Sequence, residues 1–394
     1  MKLWVSLLLL AGHTLCGQSW ENAIHTADSL TKRQANKLTN RAVVLGVYYQ
    51  STDTIIPHGR INSLGRKASA QDVFQIGSVT KTFTALMLAL ELEKGTLQLS
   101  DSISPYLTNR EKSKFDSVTL LHLATHTSGL QNNTLVVHAP SNLAAGVYGP
   151  IKNIFINGSA HVVWRLGPWQ ALFLPSPFPY YSLYGETALK MDLNNASLKK
   201  YGEWKYSNVG MGVLGNILVE KNGTSFEELL QSTICEPLGL KYTSTEPKNS
   251  PKGTFATPHN MFGIRTIRTQ FPENGMEGAA DIKMSATDMM TYLKLQLQPH
   301  GSLATAVQLQ QKTYFTSNSK DWPDLTMGLG WIKLQRANQP EIFWHRGQVK
   351  GTSAFIGFIP EKQIGIFLLA NNNHPKKLSR AGLWWLEQQA KTSE

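Results

Sequence analysis

The sequence predicts an α+β fold, with one antiparallel sheet built from both chain ends, helices flanking it, and a mainly helical middle region. Three observations predict it. Runs rich in β-branched and aromatic residues fall at about 40–62 and again at about 325–372. The region between, about 76–300, carries helical rather than alternating periodicity. Strands are not separated by regular helices, which disfavours a doubly wound parallel sheet. At 394 residues and 41% hydrophobic, the chain can build a sizeable core and is not a disordered one.

The elements follow from local pattern. Lys2, the apolar stretch Leu3 to Ala11 and the small Gly17 read as an export signal over residues 1–17, too short to span a bilayer. Leu15 is large where a lipid-attachment motif wants a small residue, which argues against a lipoprotein at Cys16. Residues 18–394 then form one domain, exported to the periplasm or secreted. Cys235 is left as its single cysteine, a buried small hydrophobe with no disulfide partner. Ala42–Tyr49 predicts a strand, Ser51-Thr-Asp-Thr a turn, and Ile55-Ile56 the returning strand of a hairpin. Val73-Phe-Gln-Ile is strand-like and leads into a helix whose Phe83, Leu86, Met87 and Leu90 share one face, with Gly95 placed for a left-handed cap.

Asn132 to Leu198 is apolar and aromatic, broken by Pro168, Pro175, Pro177 and Pro179. It reads as a packed covering segment, with a substrate-lining or membrane-touching role as the alternative. The prolines argue against a transmembrane span, and no segment after the signal is long and apolar enough for one. Met211 to Val219 is helix-like. Phe343-Trp344, Ser353–Ile359 and Ile364–Leu369 predict strands, Pro360-Glu-Lys-Gln the turn between the last two, and Leu378–Ala390 a final amphipathic helix.

Lys plus Arg number 38 and Asp plus Glu 27, a net charge of +11. The basic residues are scattered, with no stripe interleaved with aromatics, so nucleic acid is not the expected partner. His122 and His126 stand one helical turn apart, but the Glu of a metalloprotease helix is missing, so they read as capping and packing residues. Asp281 and Asp288 read as ordinary polar and helix-start positions.

The informative stretch begins at Ser78. The pattern Ser-x-x-Lys occurs four times, at Ser29/Lys32, Ser78/Lys81, Ser197/Lys200 and Ser317/Lys320. Only Ser78 joins a strand-like run to a long apolar helix. There the unpaired N–H groups of a helix start favour an oxyanion. Lys81 lies one turn on along the same face, and burial makes its neutral amine a usable base. Tyr206-Ser207-Asn208 is the single Tyr-x-Asn in the chain. Its phenol can exchange a proton, and its amide can hold a substrate amide. Trp344-His345-Arg346-Gly347 lies on a predicted strand, where Gly347 lets a substrate backbone approach.

In these residues the sequence resembles the serine β-lactamase and penicillin-binding protein superfamily. The branch is the one holding class C β-lactamases, some D-alanyl-D-alanine carboxypeptidases and family VIII esterases. Ser78-Val-Thr-Lys81, Tyr206-Ser-Asn208 and His345-Arg-Gly347 match its three motifs in order, and Thr119–Leu130, Glu236–Leu240 and Thr352–Asn371 are similar as well. The resemblance implies a β-lactamase/transpeptidase-like fold and an acyl-enzyme on Ser78. Lys81 and Tyr206 would share acid/base work, and Asn208 would bind the substrate amide. His345 stands where many relatives carry lysine. The N–H groups of Ser78 and Gln348 would form the oxyanion hole, and no metal or cofactor is implied. The implied partner is a small-molecule or peptide substrate carrying a carboxylate, anchored by Arg346 or Lys350. Esterase activity is the alternative. A non-catalytic penicillin- or peptide-binding protein is a second one, against which Ser78, Lys81, Tyr206 and Asn208 are all in place.

Overall fold

Along Ala42–Tyr49, Val43, Leu45 and Val47 are buried in one apolar layer, and Ala42, Val44 and Tyr48 in another. A strand sends alternate side chains to opposite faces, so this uninterrupted apolar run marks a sheet covered on both sides. In the computed structural model the run is β1 (Ala42–Tyr49), in an antiparallel hairpin with β2 (Thr52–Gly59). Its other edge pairs with β13 (Ile364–Ala370), Leu45 opposite Leu368, which joins the two chain ends. The sheet continues through β12 (Thr352–Ile359), β11 (Ile342–Val349), β10 (Ile332–Leu334), β9 (Leu325–Met327) and β8 (Phe315–Thr316). All eight strands are antiparallel, in the order β2-β1-β13-β12-β11-β10-β9-β8.

The structure describes residues 20–32, 42–62, 65–107, 112–132, 198–246, 254–260 and 275–391, the backbone of 152–156 and 159–163, and positions 189, 193, 196, 263, 265 and 266. The expected export signal lies outside them, as does most of the aromatic segment at 132–200.

Helix α1 (residues 20–32) and α8 (Pro375–Lys391) cover one face of the sheet. The helical period of α8 turns Leu378, Gly382, Trp385 and Leu386 inward. Of its two tryptophans, Trp385 is buried, its indole Nε1 donating to the Ala23 carbonyl at 3.0 Å, while Trp384 is 45% exposed. The opposite face packs on α2 (Thr80–Glu93), α6 (Ala286–Leu297) and α7 (Ala304–Gln311).

Two features depart from the expectation. Every residue of α2 from Thr80 to Glu91 is buried, so the helix is enclosed on all sides rather than along one stripe. Thr82 and Thr84 are accommodated because their hydroxyls donate to the carbonyls of Val79 (2.9 Å) and Gly278 (2.7 Å). The middle region also holds a three-stranded antiparallel sheet, β3 (Val73–Gln75), β7 (Lys283–Ser285) and β6 (Thr243–Ser244). Strands of two and three residues are too short to display a period. A separate hairpin, β4 (Lys152–Ile156) with β5 (Ser159–Val163), lies inside the aromatic segment.

Candidate active site

β3 ends at Gln75, and a tight turn, Gly77–Val79, carries Ser78 to the mouth of α2. One helical turn later the fully buried Lys81 points its Nζ back to Ser78 Oγ at 3.0 Å. The same Nζ donates to Asn208 Oδ1 (2.7 Å) and to the carbonyl of Ala279 (2.7 Å). Ala279 belongs to α5 (Glu277–Ala280), a one-turn helix beside α2. Burial holds the lysine pKa well below its ordinary value, because an ammonium loses its hydration there.

Asn208 opens α4 (Asn208–Asn222), and Ser207 caps that helix by accepting from the Gly210 N–H at 2.9 Å. The cap fixes Tyr206 and Asn208 on either side of it. The Asn208 amide nitrogen donates to the backbone and side-chain oxygens of Asn132, at 3.2 and 3.0 Å. Tyr206 is half-buried, its hydroxyl hydrogen-bonded with Ser78 and its ring 5.1 Å from the Lys81 nitrogen. Burial pushes the phenol pKa up, against the opposing pull of that hydrogen bond and of the Arg346 charge.

The third motif comes from β11, where burial alternates from His345 onward. His345, Gly347 and Val349 face inward, and Arg346 and Gln348 are exposed. β10 pairs with β11 only from Ile342 to Trp344, which leaves the following residues of that edge against the turn bearing Ser78. The approach is close. A Cβ at Gly347 would lie 1.7 Å from the Ile76 carbonyl oxygen and 3.2 Å from the Ser78 nitrogen. One at Gly77, whose φ is +53°, would lie 2.6 Å from the Gln348 nitrogen. Glycine at both positions lets the two backbones meet, so the peptide nitrogens of Ser78 and Gln348 border one gap. The Gln348 side chain is engaged elsewhere, donating to Asn373.

His345 is fully buried, and its Nδ1 donates to the Arg346 carbonyl at 2.9 Å. Its Nε2 is buried without a hydrogen-bond partner among the described residues. Burial pushes the imidazole down to about 3, so the ring is neutral. Arg346 lies on the exposed face, yet its charge also lowers Tyr206 and His345, which puts it within electrostatic reach of both.

The three motifs, spread along the chain from Ser78 to Gly347, thus converge on one gap between α2, α4 and β11. A sequence profile described as β-lactamase matches residues 54–390, most of the chain. The chain belongs to the β-lactamase family. It is 26% identical over 346 residues to a β-lactamase of Pseudomonas fluorescens, covering 77% of this chain and 80% of the relative. A β-lactamase of Escherichia coli K12 is 24% identical over 350 residues, covering 80% and 79%. Among solved structures, a class C β-lactamase from Rhodobacter sphaeroides superposes with a TM-score of 0.70 at 20% identity, over 93% of this chain and 99% of the other.

Sequence reasoning missed several residues of this β-lactamase-family site. Asn132 and the Ala279 carbonyl, which touch Asn208 and Lys81, carry no motif of their own. His126, read as a packing residue, lies with its ring 4.5 Å from that of Tyr206. His122 does cap α3 (Leu120–Ala124), its Nδ1 accepting from the Thr119 N–H at 3.1 Å. Asp281 is no ordinary polar position. It is buried beside Lys283, and burial pushes its carboxyl up to about 7. Asp288 is a helix-start residue, accepting from the Tyr242 N–H and the Thr243 hydroxyl, each at 2.7 Å.

Proposed function

We propose that the protein is an exported serine hydrolase that forms an acyl-enzyme on Ser78 and cleaves the amide bond of a β-lactam or of a D-Ala-D-Ala-type peptide. The observation that carries this reading is the hydrogen-bond set of Lys81. A neutral amine has two N–H groups and one lone pair, and burial favours the neutral form. Asn208 Oδ1 and the Ala279 carbonyl take the two N–H groups. The lone pair is left for the Ser78 hydroxyl, 3.0 Å away.

Ser78 Oγ attacks the carbonyl as its proton passes to Lys81, and the backbone N–H groups of Ser78 and Gln348 hold the oxyanion. The C–N bond then breaks while Tyr206 delivers the proton to the leaving nitrogen and is reprotonated from Lys81. Water releases the acyl group by the reverse proton route. Asn208 binds the substrate amide and Arg346 the substrate carboxylate, for which its exposure and its electrostatic reach to Tyr206 speak. That two relatives bear the name β-lactamase supports the lactam side. The apolar run Leu3–Ala11 after Lys2 supports export.

One observation favours an esterase of the same fold. With His345 neutral, the third motif offers no buried cation to assist proton delivery to an amine leaving group, and an ester leaving group needs less help. Intact-protein mass after brief incubation with excess penicillin, following drug loss in the same tube, tests the readings, with Ser78→Ala as control. An adduct that persists on wild type alone means a slowly deacylating peptidase. Drug consumed without a lasting adduct means a β-lactamase. Neither adduct nor loss, together with Ser78-dependent cleavage of a p-nitrophenyl ester, means the esterase. A Ser78→Ala protein that reacts like wild type removes the mechanism altogether.

A further inference from the structure

We propose that His126 is a positioning residue for Tyr206, holding the phenol beside Ser78 by clamping the backbone N–H groups of the residues on either side of it. The proposal rests on the acyl-enzyme reading of Ser78 for its catalytic consequence, but the clamp itself is a matter of geometry.

His126 lies just beyond α3, eighty residues before Tyr206 in the chain. Its carbonyl oxygen accepts from the Lys205 N–H at 2.8 Å, and its Nδ1 accepts from the Ser207 N–H at 3.3 Å. Those are the backbone nitrogens of the residues immediately before and after Tyr206. Its ring also lies 4.5 Å from the Tyr206 ring, tilted by 41°. Backbone, imidazole nitrogen and ring face of one residue therefore hold three parts of the Tyr206 neighbourhood.

The residue carries two local costs. Its φ of +59° is left-handed, a conformation that residues other than glycine, asparagine and aspartate seldom adopt. An Nδ1 that accepts an N–H carries no proton, so the neutral ring is protonated on Nε2. That Nε2–H is buried with no hydrogen-bond partner among the described residues. Glycine would relieve the backbone, and an apolar side chain would remove the orphan donor. Strain and an unsatisfied polar group held together beside a reactive side chain are the usual mark of a functional demand. The demand here is that a phenol exchanging protons with Ser78 must stay within hydrogen-bond reach of it, where a displacement of about 1 Å costs roughly 100-fold in rate.

Two substitutions separate the clamp from simple packing. In His126→Asn the amide Oδ1 sits where Nδ1 does, and asparagine tolerates the positive φ. In His126→Gln the side chain reaches the Nε2 position and has no acceptor at that of Nδ1. The protein is made with ring-¹³C tyrosine, and the signal missing from Tyr206→Phe identifies Tyr206. Acylation is followed with penicillin or a p-nitrophenyl ester, whichever wild type accepts. The expected result is that His126→Gln shifts the Tyr206 signal and lowers kcat roughly 10- to 100-fold with KM nearly unchanged, while His126→Asn brings both back to within about 3-fold of wild type. The proposal is overturned if both variants keep the wild-type signal and rate, or if His126→Asn is as impaired as His126→Gln. Should wild type accept neither probe while the Tyr206 signal still responds to His126→Gln alone, the acyl-enzyme reading fails and the clamp stands.

Discussion

At Lys81 the chemistry of the site turns on one proton. Because burial lowers its pKa and the proposed reaction uses the neutral amine, kcat/KM should fall as pH drops through that pKa, at a pH below the 10.5 of an ordinary lysine. A pH–rate profile checks this, and an acidic limb unchanged in position in Lys81→Arg would count against it. Lys81→Ala should cost about 10³-fold in acylation while the far-ultraviolet circular dichroism is kept. At Arg346 the effect belongs to binding. Arg346→Gln should raise KM for substrates bearing a carboxylate and leave neutral esters unaffected; equal losses on both would remove its anchoring role. Ser78, Lys81, Tyr206 and Asn208 were legible because each sits in a short pattern next to a strong helical period. Asn132 and the Ala279 carbonyl were not. A backbone oxygen that meets Lys81 from 198 residues away leaves no mark in local sequence.

Among the elements, β11 is the one whose placement makes the gap. Gly347 is needed there because its missing side chain admits the Ile76–Ser78 turn, and a methyl group at 1.7 Å from a carbonyl oxygen must push the strand and the turn apart. Gly347→Ala should therefore reduce acylation by about 100-fold or more, while overpacking costs about 1–3 kcal/mol of stability. Urea unfolding together with single-turnover kinetics measures both; wild-type acylation in a destabilised protein would deny the contact its importance. The strands themselves were readable from their β-branched content, but the hairpin of β1 and β2 turns at Gln50-Ser51, and Thr52–Thr54, expected in the turn, are already paired in β2. Of the short sheet, β3 was readable as the strand-like run before Ser78, but β7 and β6 were not, because strands of three and two residues span less than two periods. Nor was the enclosure of α2, since its threonines satisfy their hydroxyls on carbonyls and so mimic a polar face.

For the whole molecule, stability joins the two chain ends. Trp385 fixes α8 to both the sheet and α1, so Trp385→Ala should destabilise the protein by about 3–5 kcal/mol, read from denaturant midpoints at constant slope. A loss under 1 kcal/mol would mean that α8 contributes little to the fold. The buried His345 adds a pH dependence. Its folded pKa of about 3 lies below the ordinary 6.5, so between those values the unfolded chain binds the additional proton. Its share of stability is complete above about pH 6.5 and is lost as pH falls toward 3. Unfolding curves for wild type and His345→Gln should converge over that window; parallel curves would show that the ring is not held neutral by burial.

By itself the sequence determined the fold class, the order of the three motifs and the choice of Ser78 among four similar patterns, because these depend on periodicity and residue type within a few positions. Only the tertiary structure decided which way β11 turns its side chains. It alone joined His126 to Tyr206, made Asp281 a buried partner of Lys283, and aimed the Lys81 lone pair at Ser78. Each of these depends on contacts between segments distant in the chain, where burial and backbone approach set the chemistry and local composition does not record them.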